Sequence, residues 1–237
     1  MQLLQSNLKK YIRKLARQAG FDIIRGSHPA GAILCNQGIS LILDVGANVG
    51  RYGLKVRRLG YEGRIVSFEP LSAPFAQLAK NAENDPLWEV ANYGLGDNDG
   101  EAIINVSQNS EFSSILNNLQ ITKDYFAESA QYVAQEQVVI KKLDSIFENY
   151  CQADDKVLLK IDTQGYEKNV LAGAEASLKH IAGLQVELSF IQLYEGEFLI
   201  KEMLDYLDKK GFTIVWLEPI SQTGKLLQGD GIFLRVA

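Results

Sequence analysis

Thiol and imidazole chemistry is nearly absent from this chain: its 237 residues include two cysteines and two histidines. Cys35 and Cys151 stand far apart with no C-x-x-C spacing, so neither a disulfide framework nor a thiolate zinc site is indicated, and both read as reduced thiols. His28 and His180 lack a second histidine at ligand spacing and read as structural. No stretch of Lys and Arg interleaved with aromatics suggests a groove that tracks a nucleic-acid strand, and a formal net charge of -5 adds no general attraction to phosphate backbones. Nucleic acid is therefore not an expected partner. Internal repeats, low-complexity tracts and a linker rich in Pro, Gly and Ser are missing too, which argues against a second domain. What remains is a chain of 46% hydrophobic content, enough to fill the core of one α/β domain.

The most informative stretch is Leu41-Ile42-Leu43-Asp44-Val45-Gly46-Ala47-Asn48-Val49-Gly50, followed after one crossover by Ile65-Val66-Ser67-Phe68-Glu69-Pro70. The apolar run up to Asp44 reads as a buried parallel strand. Gly46 and Gly50 allow a tight turn, and Arg51 to Leu59 carry helical spacing, so a helix N-terminus faces a ligand. The second run delivers Glu69 to a strand's carboxyl end, where open α/β sheets bind their ligands and where acidic side chains take ribose hydroxyls. Glycine spacing separates two cofactor classes that use this layout. A dinucleotide needs G-x-G-x-x-G, which Gly46, Gly50 and Gly53 do not supply, leaving a dinucleotide oxidoreductase as a weak alternative. S-adenosylmethionine has no phosphate; its carboxylate suits helix-start amides, and its amino and sulfonium cations favour an acidic neighbour such as Asp44. A methyltransferase is the better reading, although a Gly pair at a strand-to-helix turn also occurs where nothing binds.

From Ser40 onward strand-like and helix-like segments alternate, which predicts a mostly parallel sheet. A helix over 73–84 follows Glu69 and leads to a third apolar run, Trp88 to Leu95. Asp97-Asn98-Asp99-Gly100 signals a turn, and Glu101 to Val106 alternates like the return strand of a hairpin. Asn109 to Gln137 is polar and aromatic, with Tyr125, Phe126 and Tyr132, and reads as part of an insert near 100–137 of the kind that forms lids and binding loops. The parallel rhythm resumes with Val138 to Leu143, a short helix near Asp144 to Tyr150, and the strand Lys156 to Asp162; Thr163-Gln164-Gly165-Tyr166-Glu167 then opens a helix reaching to about His180. Ala182 to Phe190 is a strand containing Glu187, and Phe198 to Lys210 an amphipathic helix ended by Gly211. The chain closes on Phe212 to Leu217 and Gly231 to Val236, a terminal antiparallel hairpin with no helix between. Asp44, Glu69 and Asp162 thus end neighbouring strands and converge on one crevice. Asp162 and Glu167 equally suit a helix start, where carboxylates complement the macrodipole.

Residues 1–39 read as an amphipathic helix and linker packed on the domain at 40–237. Leu3, Leu4, Leu8, Tyr11, Ile12, Leu15, Ala16 and Ala19 form the apolar stripe, and Lys9, Lys10, Arg13, Lys14 and Arg17 a basic side. The segment has neither the unbroken apolar core of a signal peptide nor the length of a membrane span, so a cytoplasmic protein is expected. Contact with a second subunit in a homo-oligomer, or with an anionic membrane surface, would show the same stripe.

Five motifs in this order carry a family resemblance: Leu43 to Gly50, Ser67-Phe68-Glu69-Pro70, the Gly94-Leu95-Gly96-Asp97-Asn98-Asp99-Gly100 turn, Lys142-Leu143-Asp144-Ser145-Ile146, and Leu159-Lys160-Ile161-Asp162-Thr163-Gln164-Gly165-Tyr166-Glu167. Over 40–237 the chain resembles the FkbM family of S-adenosylmethionine-dependent methyltransferases. The resemblance implies an α/β, Rossmann-like class I methyltransferase fold: a mostly parallel seven-stranded sheet with an antiparallel last strand. It also implies methylation of a hydroxyl on a sugar, glycan or other secondary metabolite. By position, Asp44, Gly46, Ala47, Asn48 and Gly50 would hold the methionine moiety, Glu69 with Pro70 the ribose side, and Asn92, Gly94 and Leu95 would border the adenine. Asp162 is the candidate proton acceptor for in-line attack by a substrate oxygen; it can instead orient substrate, touch the cofactor's amino group, or join a divalent-metal site, a metal being compatible but not indicated. Lys160 either orients the oxygen nucleophile or points to solvent. The chain departs from the family pattern at Thr163-Gln164, where a small acidic step is usual, and at Tyr166, where a smaller or apolar residue is. The contrasting reading is a non-catalytic cofactor-binding or assembly subunit that docks through its N-terminal helix.

Overall fold

The computed structural model describes residues 36–222 and 224–236, together with residues 31 and 33; the expected N-terminal amphipathic helix lies outside the described residues. In chain order the strands and α-helices are β1 (Leu41–Val45), α1 (Arg51–Arg58), β2 (Arg64–Phe68), α2 (Ser72–Ala82), β3 (Trp88–Ala91), β4 (Gly94–Leu95), β5 (Gly100–Ser107), α3 (Gln120–Phe126), β6 (Tyr132–Lys141), α4 (Leu143–Tyr150), β7 (Val157–Ile161), α5 (Glu167–Ala172), β8 (Ile181–Ser189), α6 (Ile200–Lys209), β9 (Phe212–Gln222) and β10 (Lys225–Arg235). Seven strands make the main sheet in the order β3-β2-β1-β7-β8-β10-β9. Its pairs are parallel up to β8, and β10 then runs antiparallel to both β8 and β9. The mostly parallel seven-stranded sheet with an antiparallel last strand is thus what the chain builds.

β1 is bonded on both edges and all five of its residues are buried. Successive side chains point to opposite faces of a strand. Leu41, Leu43 and Val45 enter the larger core with Leu143, Val170, Leu171, Met203 and Leu207 from α4, α5 and α6. Ile42 packs on the other face with Val56 of α1, Leu78 of α2 and Trp88. An unbroken aliphatic run is what a strand covered by helices on both faces requires, and it makes a carboxylate at position 44 exceptional. α1 buries Gly53 and Val56 and carries Lys55, Arg57 and Arg58 in its last turn, where cations complement the carbonyl end. Gly53 is a packing requirement: a Cβ there would lie 2.2 Å from the Trp88 ring, so only glycine lets the helix rest on β3.

Four expectations are corrected by the structure. Trp88 to Leu95 is not one strand. The side chain of Asn92 donates to the carbonyls of Glu69 and Pro70, turning the chain out of the main sheet, and β4 joins a small sheet of order β4-β6-β5. Second, β5 does not return along β4; it pairs antiparallel with β6, Gly100 opposite Ile140 through Ser107 opposite Tyr132. Third, Val138 to Lys141 therefore belongs to this accessory sheet rather than to the parallel rhythm, and Leu143 already opens α4. Ile104, Val138 and Ile140 close over Leu71 in a core of their own, which holds the insert against the domain. Finally, the helix expected to reach His180 stops at Gly173. The Gly173 carbonyl accepts the Asp144 amide, and the Asp144 carboxylate takes the amides of Ala176 and Ser177, fixing a separate 3-10 turn over Ser177–His180.

Candidate active site

A polar row runs across the buried face of the sheet near its carboxyl edge. Ser67, Asp44 and Lys160 are register partners on β2, β1 and β7, and Gln185 on β8 pairs with Lys160 in turn. The Trp88 indole donates to Ser67 Oγ (3.0 Å), and Ser67 donates to Asp44 Oδ2 (2.9 Å). Lys160 Nζ stands 3.1 Å from Asp44 Oδ1 and 3.6 Å from Asp162 Oδ2, and donates to the Gly46 carbonyl at 3.3 Å. The Tyr52 hydroxyl donates to Gln185 Oε1 at 3.0 Å. Burial works to lower the Lys160 pKa, but Asp44 and Asp162 outweigh it and hold the ammonium above the ordinary lysine range. Burial, with Asp44 beside it, raises the Tyr52 phenol well above its usual value. Both stay protonated at neutral pH, so Lys160 remains an ammonium paired with acids and Tyr52 a hydroxyl donor. Of the two readings for Lys160, the solvent-facing one is excluded.

Above the row lies the turn. Gly46 has φ 74, and a Cβ on it would lie 1.9 Å from the Asp162 carbonyl, so glycine is required twice over. Asp162 N donates to Val45 O (3.1 Å), tying the two strand ends together. The amides of Gly46 and Ala47 both donate to the Phe68 carbonyl, and Asn48, itself at φ 49, sends its amide to Glu69 Oε2 at 2.7 Å. Val49 N bonds Asn48 Oδ1 and Gly50 N bonds Ala47 O. Every amide from 46 to 50 is thus already used, and an incoming carboxylate would be left the first turn of α1 and the ammonium and guanidinium of Lys55 and Arg51. Glu69 is 4% exposed; its second oxygen accepts the Leu71 amide, so each oxygen keeps a lone pair for a hydroxyl. Burial pushes its pKa up to about 7 against the pull of those two amides.

Opposite the turn is a wall of acids. Asp162 is 36% exposed at its side chain, and Gln164 Nε2 bridges its Oδ1 to Glu187 Oε2, both at 3.0 Å. Gln164 sits at φ 54 and is held from two sides, by Tyr194 Oη donating to its Oε1 (2.8 Å) and Ser114 Oγ donating to its carbonyl (2.7 Å). Glu187 faces Asp230 across the β8–β10 pair. Burial, then Asp162 and other acidic neighbours, raise the Glu187 pKa well above the carboxylate range; burial and Asp162 raise that of Asp230 to about 6. These residues and the turn share one cavity of about 420 Å³, within the range of small-molecule sites.

Against known proteins, the chain matches the family described as Methyltransferase FkbM domain over residues 44–214. It belongs to that family. It is 28% identical over 193 residues to Methyltransferase 1 of Beauveria bassiana (strain ARSEF 2860), covering 76% of this chain and 75% of that one. It is 24% identical over 206 residues to 2-O-methyltransferase NoeI of Sinorhizobium fredii (strain NBRC 101917 / NGR234), covering 82% and 79%. Among solved structures, magnesium protoporphyrin IX methyltransferase from Synechocystis PCC 6803 with bound SAM superposes at TM-score 0.48 with 12% identity, covering 88% of this chain and 77% of that one.

The cofactor of this FkbM methyltransferase is S-adenosylmethionine, and the residues present fit it. An acidic side chain with free lone pairs, an apolar slot of Leu71, Leu95, Ile104 and Ile140, and cations near the turn match ribose, adenine and carboxylate. Of the sequence-derived set, Gly46, Ala47, Asn48, Glu69, Pro70, Gly94, Leu95 and Asp162 line the cavity. Three do not. Asp44 lies beneath the floor as the partner of Ser67 and Lys160, Gly50 caps α1 against Leu78 and Trp88, and Asn92 holds the carbonyls of Glu69 and Pro70. Glu167 is outside the lining as well. It accepts from Thr163 N, Thr163 Oγ1 and Gly165 N, and burial raises its pKa to about 7, in keeping with its helix-start reading.

The sequence reading missed Gln185, Gln228 and Asp230 and gave Glu187 and Gln164 no role. One signal was present: polar residues at every second position, 185, 187 and 189 on β8 and 228 and 230 on β10, in strands otherwise apolar. The insert also closes the site. Its 3-10 turn Ser110–Phe112 puts Ser110 against Asn48 Nδ2 (3.0 Å), pairs Glu111 with Arg51, and packs Phe112 against Phe126, the rings tilted with centroids 4.6 Å apart. No helix among the described residues is long and apolar enough to cross a membrane, and none of their His, Cys, Asp and Glu groups has metal-binding geometry.

Proposed function

We propose that this protein is an O-methyltransferase whose acceptor is a hydroxyl of a sugar, glycan or related secondary metabolite. The observation that carries the reading is Asp162: a partly exposed carboxylate in the same cavity as Glu69 and the glycine turn, 3.6 Å from a lysine ammonium. A hydroxyl must lose its proton as its oxygen attacks, whereas an amine attacks as the free base, so a carboxylate beside the reacting centre favours oxygen. The 2-O-methyltransferase among its relatives is in line with this.

S-adenosylmethionine supplies a methyl group on a sulfonium; the C–O bond forms as the C–S bond breaks, leaving a neutral thioether. The chain's own residues do the rest. Glu69 takes the ribose hydroxyls, the turn from Gly46 to Asn48 backs the methionine arm, and Gly94, Leu95 and Ile140 flank the base. Asp162 accepts the proton of the acceptor hydroxyl. Lys160, charged and immobile between Asp44 and Asp162, holds Asp162 in place, and the insert excludes water by closing Ser110–Phe112 over the turn. The reaction unit is 40–237, and two cysteines without disulfide spacing suit a cytoplasmic setting.

The test is methyl transfer from S-adenosylmethionine to a panel of hydroxylated and amino acceptors, with wild type and Asp162→Asn. Asp162→Asn should bind cofactor normally and lose roughly 10²–10⁴ in kcat. Methylation confined to nitrogen, or an Asp162→Asn enzyme at full speed, would sink the proposal.

A further inference from the structure

We infer that the polar face shared by β8 and β10 is the acceptor subsite, and that it reads an uncharged pair of neighbouring hydroxyls through Gln185, Glu187, Gln228 and Asp230. The inference rests on the O-methylation reading and names the acceptor class of that cavity. All four side chains line it. Gln185 and Glu187 alternate on β8, Gln228 and Asp230 on β10, and Glu187 is the register partner of Asp230. Gln228 is 7% exposed, yet its Nε2 has no hydrogen-bond partner among the described residues. A buried donor left unpaired is destabilising, and so is the burial of two acids facing each other on paired strands, each of which is then harder to ionise. Folding alone gives no reason for either feature.

A hydroxyl answers both. Its lone pair accepts from Gln228 Nε2 while its proton goes to Asp230 or Glu187, and a neighbouring hydroxyl is then left toward Asp162. An ammonium has no lone pair for Gln228. A phosphate or carboxylate would meet Asp162, Glu187 and Asp230, with the charge of Lys160 already divided between Asp44 and Asp162. Phe112 and Phe126 line the same cavity and offer ring faces for the C–H side of a sugar. Gln228 and Asp230 lie beyond residue 214, outside the span matched to the family, which is where specificity particular to this chain would be written.

The experiment uses the full chain with methyl glucoside, methyl mannoside and myo-inositol as neutral probes, glucose 6-phosphate and glucuronate as anionic ones, and glucosamine as the amine. Gln228→Leu removes the unpaired donor at similar volume. Expected are a melting temperature equal to or above wild type, unchanged binding of S-adenosylhomocysteine, and a KM for neutral probes raised roughly tenfold or more at similar kcat. Asp230→Asn should raise the same KM and admit anionic probes. A lowered melting temperature with unchanged KM makes Gln228 structural and overturns the subsite, as does O-methylation of anionic probes in preference to neutral ones, or of none. N-methylation of glucosamine with no O-methyl product on any probe removes instead the reading beneath it.

Discussion

The two sides of the cavity are built differently. Around the turn, each amide from Gly46 to Gly50 has a partner within the protein and Glu69 closes the loop on itself, all within about thirty residues of chain. Across the cavity, Gln228 Nε2 lacks a partner among the described residues, Glu187 faces Asp230, and Gln164 is held in a left-handed conformation by Ser114 and Tyr194 from distant segments. The first side is satisfied by folding; the second is completed only by what enters. A region that binds one invariant cofactor gains from being finished in advance, whereas a region that selects an acceptor needs unfilled hydrogen-bonding capacity.

The harshest way to break the contrast is Gly46→Ala. At φ 74, with its Cβ 1.9 Å from the Asp162 carbonyl, alanine should cost about 5 kcal/mol or more and prevent recovery of folded protein, while Gln228→Leu across the cavity costs nothing. Comparable melting temperatures for the two variants would show the turn to be more forgiving than its geometry says. Next is Lys160→Met, which strands the fully buried Asp44 with Ser67 as its remaining partner; the expected loss is about 3–5 kcal/mol. The double variant Lys160→Met/Asp44→Asn should recover most of that loss in denaturant unfolding, because it removes the orphaned charge. Without such recovery, Lys160 would be supporting the site through packing instead.

The same difference explains what the sequence made legible. Asp44, the glycine turn and Glu69 are near neighbours in sequence and encode their own geometry, so strand, turn, helix and acid could be read in order. The far wall is assembled from residues 114, 164, 187, 194, 228 and 230, whose meeting depends on strand order and register. Nothing local at Gln228 announces a site. Lys160 shows the limit within a single residue: its strand was evident, but only the pairing of β7 with β1 decides that it faces Asp44. The accessory sheet was hidden for a similar reason, since β5 pairs with a strand some thirty residues on rather than with its nearest neighbour.

A smaller effect separates the two sides by pH. Glu69 at about 7 binds more protons folded than unfolded; by linkage its contribution to stability is fully present below the ordinary carboxylate range and is lost as pH rises through about 7. Cofactor affinity should move the other way, strengthening through the same window as the carboxylate becomes an acceptor for ribose hydroxyls. Glu69→Gln should abolish that rise and weaken binding roughly 10- to 100-fold, since an amide presents a donor to one of the Asn48 and Leu71 amides. Calorimetry with S-adenosylhomocysteine at several pH values decides it; a wild-type affinity that is flat with pH would remove Glu69 from the ribose.

The mildest test sharpens the far wall. Tyr194 is buried, and its hydroxyl orients the Gln164 amide that separates Asp162 from Glu187. Tyr194→Phe should cost about 1 kcal/mol, the worth of one neutral hydrogen bond, and leave cofactor binding alone because nothing on the turn changes. Its signature is kinetic. With Gln164 less firmly held, Glu187 loses part of the amide donor that steadies its charged form, so its already raised pKa should rise further and the limb of the kcat/KM profile that it sets should move to higher pH. A variant destabilised by that amount with an unshifted profile would mean that Tyr194 only fills space and that Gln164 holds its bridge unaided. A shifted profile would mean that hydrogen bonding from outside the cavity sets how its acids share protons.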